Sequence, residues 1–98
     1  MEKRVPHCSL AKVKNLIEAG KLRMTASAFN SAEHMGFDRF EVQAIILALT
    51  NTDFYKSMTT YENNKIWQDV YHPKTRLGDV YLKITVIDDV LIVSFKEL

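Results

Sequence analysis

The sequence predicts an α+β fold in which three N-terminal helices pack on a C-terminal antiparallel sheet. Apolar residues recur at helical spacing through the first half of the chain, whereas from residue 53 onwards they alternate with polar residues, as along strands. A length of 98 residues fits one domain spanning 1–98. One cysteine, no signal-peptide pattern and no apolar run of membrane-spanning length lead us to expect a cytoplasmic location.

The first two helices have clear start signals. Ser9 is a natural N-cap for a helix near 9–19, and Thr25 caps a second helix over 26–35. A glycine follows each helix, at a position where the backbone commonly turns left-handed. The four residues 21–24 between the helices are expected to form a short extended link.

The third helix has the strongest start signal. Asp38 and Glu41 form a capping-box pattern, and Phe37 and Val42 occupy the two hydrophobic-staple positions. The helix then runs through residues 44–49, which are apolar nearly all round. We therefore expect this helix to be the central one against the sheet.

Four strands are predicted after the helices, at 54–61, 66–72, 79–87 and 90–96. Pro73 ends the second strand, and residues 74–78 form a connecting loop. The first two strands leave one question open. A four-residue loop between them would put Lys56 and Gln68 on different faces, whereas a three- or five-residue loop, or a bulge, would put them on the same face.

The last two strands form a hairpin around an acidic two-residue loop, Asp88-Asp89. That loop sets three facing pairs: Ile87 with Val90, Tyr81 with Lys96, and Lys83 with Ser94. Alternation then gives an apolar core face of Val80, Leu82, Ile84, Val86, Leu91, Val93 and Phe95. The other face carries Tyr81, Lys83, Thr85, Ser94 and Lys96. Such a polar face can hold a phosphate-rich ligand or simply contact water.

Charge and composition limit the kinds of site the chain can have. The net charge of +1 is low for a general nucleic-acid binder, so any RNA site must rest on local arrangement. The three histidines and one cysteine are scattered and predict no metal site, and no glycine-rich phosphate loop is present. The remaining polar and aromatic residues of the sheet are the candidates, although each alone is more often structural.

Three segments carry a family resemblance: Asp53-Phe-Tyr-Lys-Ser-Met-Thr-Thr-Tyr61, Ile66-Trp-Gln-Asp-Val-Tyr71, and Val80 through Glu97. Together with the Lys-Arg-x-Pro-His start at 3–7, they closely resemble the motility quorum-sensing regulator toxins, which belong with the RelE-like bacterial toxins. The resemblance implies an endoribonuclease that cuts single-stranded mRNA at short GC-containing sequences without metal, cofactor or ribosome. It also implies a cognate, DNA-binding antitoxin of the MqsA type that represses the shared operon.

By motif match, the resemblance carries over four catalytic residues: Lys56, Gln68, Tyr81 and Lys96. The expected RNA-binding residues are Tyr55, Met58, Tyr71, His72, Arg76 and Lys83. In the implied mechanism the 2′-hydroxyl of the RNA attacks the phosphate, Tyr81 transfers a proton, and lysines carry the phosphate charge. An ammonium beside a phenol favours the ionised phenol, which is the role expected of Lys96.

The sequence departs from the family pattern at His72, where arginine is expected, in the 74–78 loop, and at Asp88, where histidine is expected. The first two departures bear on RNA affinity or base preference. His72 is also the rival to Tyr81 as acid–base group. Two other protein classes stay open: a module of this fold that binds RNA or protein without turnover, and a small structural subunit.

Overall fold

A computed structural model describes all residues, 1–98, and confirms the α+β class with three helices. The helices are α1 (Leu10–Glu18), α2 (Ala26–Met35) and α3 (Arg39–Leu47), and a 3₁₀ turn covers Asn51–Asp53. The strands are β1 (Glu2–Lys3), β2 (Leu22–Met24), β3 (Phe54–Thr59), β4 (Trp67–Tyr71), β5 (Lys74–Thr75), β6 (Gly78–Val86) and β7 (Val90–Glu97). None of the helices has the length and apolar character needed to cross a membrane.

The helices begin at the residues that the sequence predicts. The side chains of Ser9 and Thr25 each accept a hydrogen bond from a backbone N–H in the first turn of α1 and α2. At α3 the capping box is complete, because Asp38 and Glu41 each accept the other's backbone N–H. Each cap gives a partner to an N–H that the helix itself leaves unpaired.

The sheet has the strand order β1-β3-β4-β6-β7-β2, with β5 pairing only with β6. All pairs are antiparallel except β2 with β7, which are parallel. The segment 21–24, predicted as a short extended link, is extended, and its residues Leu22–Met24 form an edge strand. Because this strand is parallel to β7, the sheet is not wholly antiparallel, contrary to the prediction. The 74–78 loop likewise contains a short strand. Both elements are too short to produce an alternating pattern in the sequence.

The β6–β7 hairpin contains two irregularities that compensate for each other. Val86, rather than Ile87, faces Val90, so the loop has one more residue than predicted. Val93 is then an extra residue on β7, in a β-bulge. Beyond the bulge the predicted pairs are confirmed: Lys83 faces Ser94, and Tyr81 faces Lys96.

The bulge also changes which side chains of β7 enter the core. Val90 and Ile92 are fully buried, whereas Leu91 and Val93, predicted as core residues, are only half-buried. Side chains alternate between the two faces of a strand. Between the loop and the bulge, the one-residue shift in register therefore moves each β7 side chain to the face opposite to the one predicted. The predicted core positions in β6 and the Phe95 position are confirmed, apart from Val86, which packs at the margin of the core.

The core lies between the helices and one face of the sheet. Helix α2 packs on β7, while α3 packs against α1 rather than serving as the central helix on the sheet. The expectation for the third helix was wrong, because only Val42 and Ile46 of α3 are fully buried and Phe40 is 82% exposed. Ala44 of the helix and its C-cap residue Ala48 are exposed, and both side chains are small enough to lie at the surface at little cost.

Candidate active site

The sheet face that points away from the helices brings together all four predicted catalytic residues. We call this the polar face, and it consists of Lys56, Met58, Gln68, Tyr81, Lys83, Ser94 and Lys96. Met58 faces Gln68 across β3 and β4, and Lys56 lies two residues before Met58 on the same strand. The open question about the β3–β4 register is thereby answered, since Lys56 and Gln68 share a face.

The ammonium groups of the polar face are in different surroundings. Lys96 Nζ lies 5.2 Å from the centre of the Tyr81 ring. Partial burial, followed by repulsion from Lys96, lowers the pKa of Lys83. Lys56 donates a hydrogen bond to Glu2 Oε1 at 2.5 Å, and this bond raises the pKa of Lys56. The face is therefore cationic, with one carboxylate at its β3 edge.

Three aromatic rings lie together beside these lysines, and two of them are stacked. The rings of Tyr55 and His72 lie 4.3 Å apart and nearly parallel, and His72 is 5.8 Å from Tyr81. Tyr55 is 44% exposed, so one of the rings remains available to a ligand. His72 Nε2 is buried without a hydrogen-bond partner in the protein. The predicted neighbours Tyr55, Met58, His72 and Lys83 are thus all at or next to the four predicted catalytic residues.

Tyr71 does not belong with them. It faces Leu82 on the core side of the sheet and is fully buried, with its ring edge-on to Phe54. Burial raises the pKa of its phenol, and the hydroxyl has no hydrogen-bond partner. Its expected role in stacking RNA bases is corrected, because strand alternation directs it away from the polar face.

Arg76 also lies elsewhere. Its guanidinium donates to Glu41 Oε2 at 2.6 and 3.1 Å and to the Gly36 carbonyl oxygen at 3.2 Å, and it covers the Phe37 ring. These contacts fix the β5–β6 turn to the start of α3. The expectation that Arg76 binds RNA is corrected, since its Nε and Nη2 groups are hydrogen-bonded on the helix side of the molecule.

An open depression of about 440 Å³ adjoins the polar face at the end of β3. It is lined by Met58, Thr59, Thr60, Tyr61, Glu62, Gln68 and Lys83. Its volume is in the range typical of small-molecule sites, which is enough for a nucleobase. Alternating strand patterns locate Gln68 and Lys83 but give no information on the loop residues, so sequence reasoning missed this part of the site.

Sequence reasoning also missed two acidic residues. Glu2 reaches the polar face from β1, and Asp69 lies under the N-terminal segment. The Asp69 carboxylate accepts the backbone N–H groups of His7 and Cys8, both at 3.0 Å. These contacts join residues more than 50 positions apart, and no local pattern announces them.

The donor set determines what the site can do. No group of three or more His, Cys, Asp or Glu side chains is arranged to hold a metal ion. Ammonium, amide and phenol groups on one open face can bind a phosphate ester and transfer a proton. The fold and the site thus define a small α+β protein whose open sheet face carries ammonium, amide and phenol groups.

Comparison with known proteins makes this class specific. Residues 5–97 match the family model described as "Motility quorum-sensing regulator, toxin of MqsA". The chain belongs to this toxin family, as the resemblance predicts. It is similar to the mRNA interferase toxin MqsR of Escherichia coli (strain K12), with 57% identity over 97 residues that cover 99% of both chains.

Proposed function

We propose that the protein is the toxin of a type II toxin–antitoxin pair and acts as an mRNA interferase, an endoribonuclease that inhibits translation and growth. The observation that carries this proposal is the meeting of Tyr81, Lys96 and Lys56 on one open face in a member of this toxin family. Such a face can receive an extended strand of RNA, because nothing in the fold covers it with a helix.

The RNA's own 2′-hydroxyl loses its proton and attacks the adjacent phosphate, which becomes a cyclic 2′,3′-phosphate. The bond between phosphorus and the leaving 5′-oxygen breaks, and that oxygen takes up a proton. Tyr81 transfers a proton at the reacting phosphate, and Lys96, above its ring, supports the charge that develops there. Lys56 and Lys83 extend the positive charge along the phosphates. Gln68 lies at the border of the depression and hydrogen-bonds a phosphate or a base edge.

Base binding uses the two ends of the site. The exposed ring of Tyr55, supported by His72, stacks one base, a contact worth about 1–3 kcal/mol. The depression beside Met58 and Gln68 receives a neighbouring base. His72 supports the ring stack in this scheme, and Tyr81 carries the proton transfer.

Several finer properties belong to the same proposal. Cleavage needs neither metal nor ribosome, because lysines supply the positive charge at the phosphate, and it occurs at short GC-containing sites in single-stranded mRNA. The fold, a single domain over 1–98, is related to the RelE-like toxins. The protein partner is an MqsA-like, DNA-binding antitoxin. The protein acts in the cytoplasm, where its mRNA substrate is translated.

Cleavage of a defined single-stranded RNA in EDTA tests the proposal. Wild-type protein should cut an RNA that contains GC sites and spare a matched RNA from which those sites are removed. Tyr81→Phe and Lys56→Ala should each lose about 10²–10⁴-fold in rate, the usual contribution of an acid–base or charge-stabilising group. Lys12→Ala, which removes an exposed lysine on α1, is the control and should cleave normally.

Three results would overturn the proposal. RNA binding without cleavage would identify a binding module. Activity that disappears in EDTA and returns with Mg²⁺ would refute metal independence. Retained cleavage in Tyr81→Phe together with loss in His72→Ala would move the proton transfer to the histidine.

A further inference from the structure

Glu2 is the acidic side chain that the fold brings into contact with a lysine of the polar face. Strand β1 is two residues long and pairs with β3, so that Glu2 lies opposite Met58 on the side of the sheet that carries Lys56. Its carboxylate accepts the hydrogen bond from Lys56 Nζ. Of the three ion pairs in the structure, this is the one at the candidate active site.

The backbone on which Glu2 stands is fixed at several points. The Met1 amino group donates to Thr59 Oγ1 at 3.0 Å, and the Thr59 N–H donates to the Met1 carbonyl oxygen at 3.0 Å. Next to Glu2, Lys3 Nζ lies 4.1 Å from the centre of the Trp67 ring. The carboxylate can therefore leave Lys56 by side-chain rotation alone, while β1 stays in the sheet.

The pair is placed where exchange with another anion is easy. The side chains of Glu2 and Lys56 are 52% and 21% exposed, so the pair stands at the border of the face in contact with water. Exposed ion pairs of this kind are weak, because water and salt screen both charges. A phosphate oxygen accepts the same charge-assisted hydrogen bond from an ammonium as a carboxylate oxygen does.

We propose that Glu2 is an internal counter-anion that occupies the phosphate subsite at Lys56 in the RNA-free protein and is displaced by a phosphate of the bound strand. This inference rests on the proposed function and adds a positioning residue to it. In the free protein Glu2 offsets the repulsion among the lysines of the face and holds Lys56 in place. On RNA binding it costs affinity, because its carboxylate must leave the subsite.

Binding of a non-cleavable RNA, 2′-O-methylated throughout, tests this by fluorescence anisotropy at several salt concentrations. Glu2→Gln should lower Kd about two- to fivefold, the range set by the weakness of exposed pairs. In the variant the contact between Lys56 and the phosphate forms without breaking an ion pair. The slope of log affinity against log salt should therefore steepen by up to about 0.7, the value for one phosphate contact on a single strand. Glu33→Gln, an equal change in net charge on α2, is the control and should leave both quantities unchanged.

A Lys56→Met background separates this subsite from a general charge effect. With Lys56 absent, Glu2→Gln should change Kd by less than about twofold, because the group that the carboxylate competes for is gone. An equal gain in the Lys56→Met background, or in Glu33→Gln, would overturn the inference. So would weaker RNA binding by Glu2→Gln, which would mean that the carboxylate assists the bound state.

The outcomes distinguish this inference from the proposed function. Tighter binding by Glu2→Gln with no cleavage of unmodified RNA by the wild type would support the subsite and refute the enzyme. Cleavage by the wild type with an unchanged Kd in Glu2→Gln would refute the subsite alone. Absence of any RNA binding by the wild type would overturn both.

Discussion

Replacing Tyr71 with phenylalanine is expected to stabilise the protein and to leave RNA cleavage unchanged. The ring is fully buried and stays in the variant, so no apolar packing is lost. The hydroxyl is buried without a hydrogen-bond partner, a situation that costs about 1–3 kcal/mol. We therefore expect the free energy of unfolding to rise by about 1 kcal/mol or more, equivalent to about 4–8 °C in Tm for a protein of this size.

Urea unfolding, followed by the fluorescence of the single tryptophan, Trp67, measures this directly. Tyr81→Phe is the matched variant, because it removes the same atom from a half-buried phenol on the polar face. It should leave stability within about 0.5 kcal/mol while greatly reducing cleavage. A lower free energy of unfolding for Tyr71→Phe would refute the reasoning, since it would mean that the hydroxyl has a partner. A tenfold loss of cleavage in Tyr71→Phe would refute the assignment of Tyr71 to the core rather than to the RNA site.

The same phenol gives a sign for the pH dependence. Burial raises the pKa of Tyr71, so the folded protein keeps the proton at a pH where the unfolded chain releases it. Ionisation of this phenol therefore does not affect stability below about pH 10, and it lowers the free energy of unfolding as the pH rises above that value. Tyr71→Phe should lack this part of the alkaline loss of stability, and equal slopes above pH 10 in both proteins would contradict the prediction.

Three further substitutions test the remaining assignments. Asp69→Ala should lower the free energy of unfolding by about 3 kcal/mol in urea titrations, because it removes two hydrogen bonds between a buried carboxylate and the backbone N–H groups of His7 and Cys8. A loss below about 1 kcal/mol would show that the N-terminal segment is held by other contacts. Arg76→Ala should cleave RNA within about twofold of wild type and lose at most about 1 kcal/mol of stability, as for other exposed ion pairs; a large loss of RNA affinity would return it to the binding site. Lys83→Met should weaken RNA binding severalfold while Tm stays equal or rises, since burial and Lys96 already lower the pKa of Lys83; a fall in Tm would contradict this.

Features of the fold that depend on neighbouring residues could be predicted from the sequence. The caps at Ser9, Thr25 and Asp38 are examples, because each satisfies a backbone N–H within the next three residues. The pairing of Tyr81 with Lys96 was also predicted, although for an incomplete reason. The loop is one residue longer than expected and a bulge on β7 adds one residue, so the two deviations cancel at this pair.

Features that depend on distant residues could not be predicted. Strands β1 and β2 are two and three residues long and form only because β3 and β7 offer free edges. Glu2 reaches Lys56 through such a pairing, across 54 positions. Tyr71 and Arg76 carry the residue types of an RNA site, and only the register of β4 and the contacts of the β5–β6 turn show that they point elsewhere.

The position of β7 in the sheet has a consequence for synthesis of the protein. This last strand in chain order is an interior strand, between β6 and β2, and it carries both Lys96 and the buried Phe95. A nascent chain on the ribosome therefore has neither a completed core nor Lys96, one of the proposed catalytic side chains, until β7 has emerged.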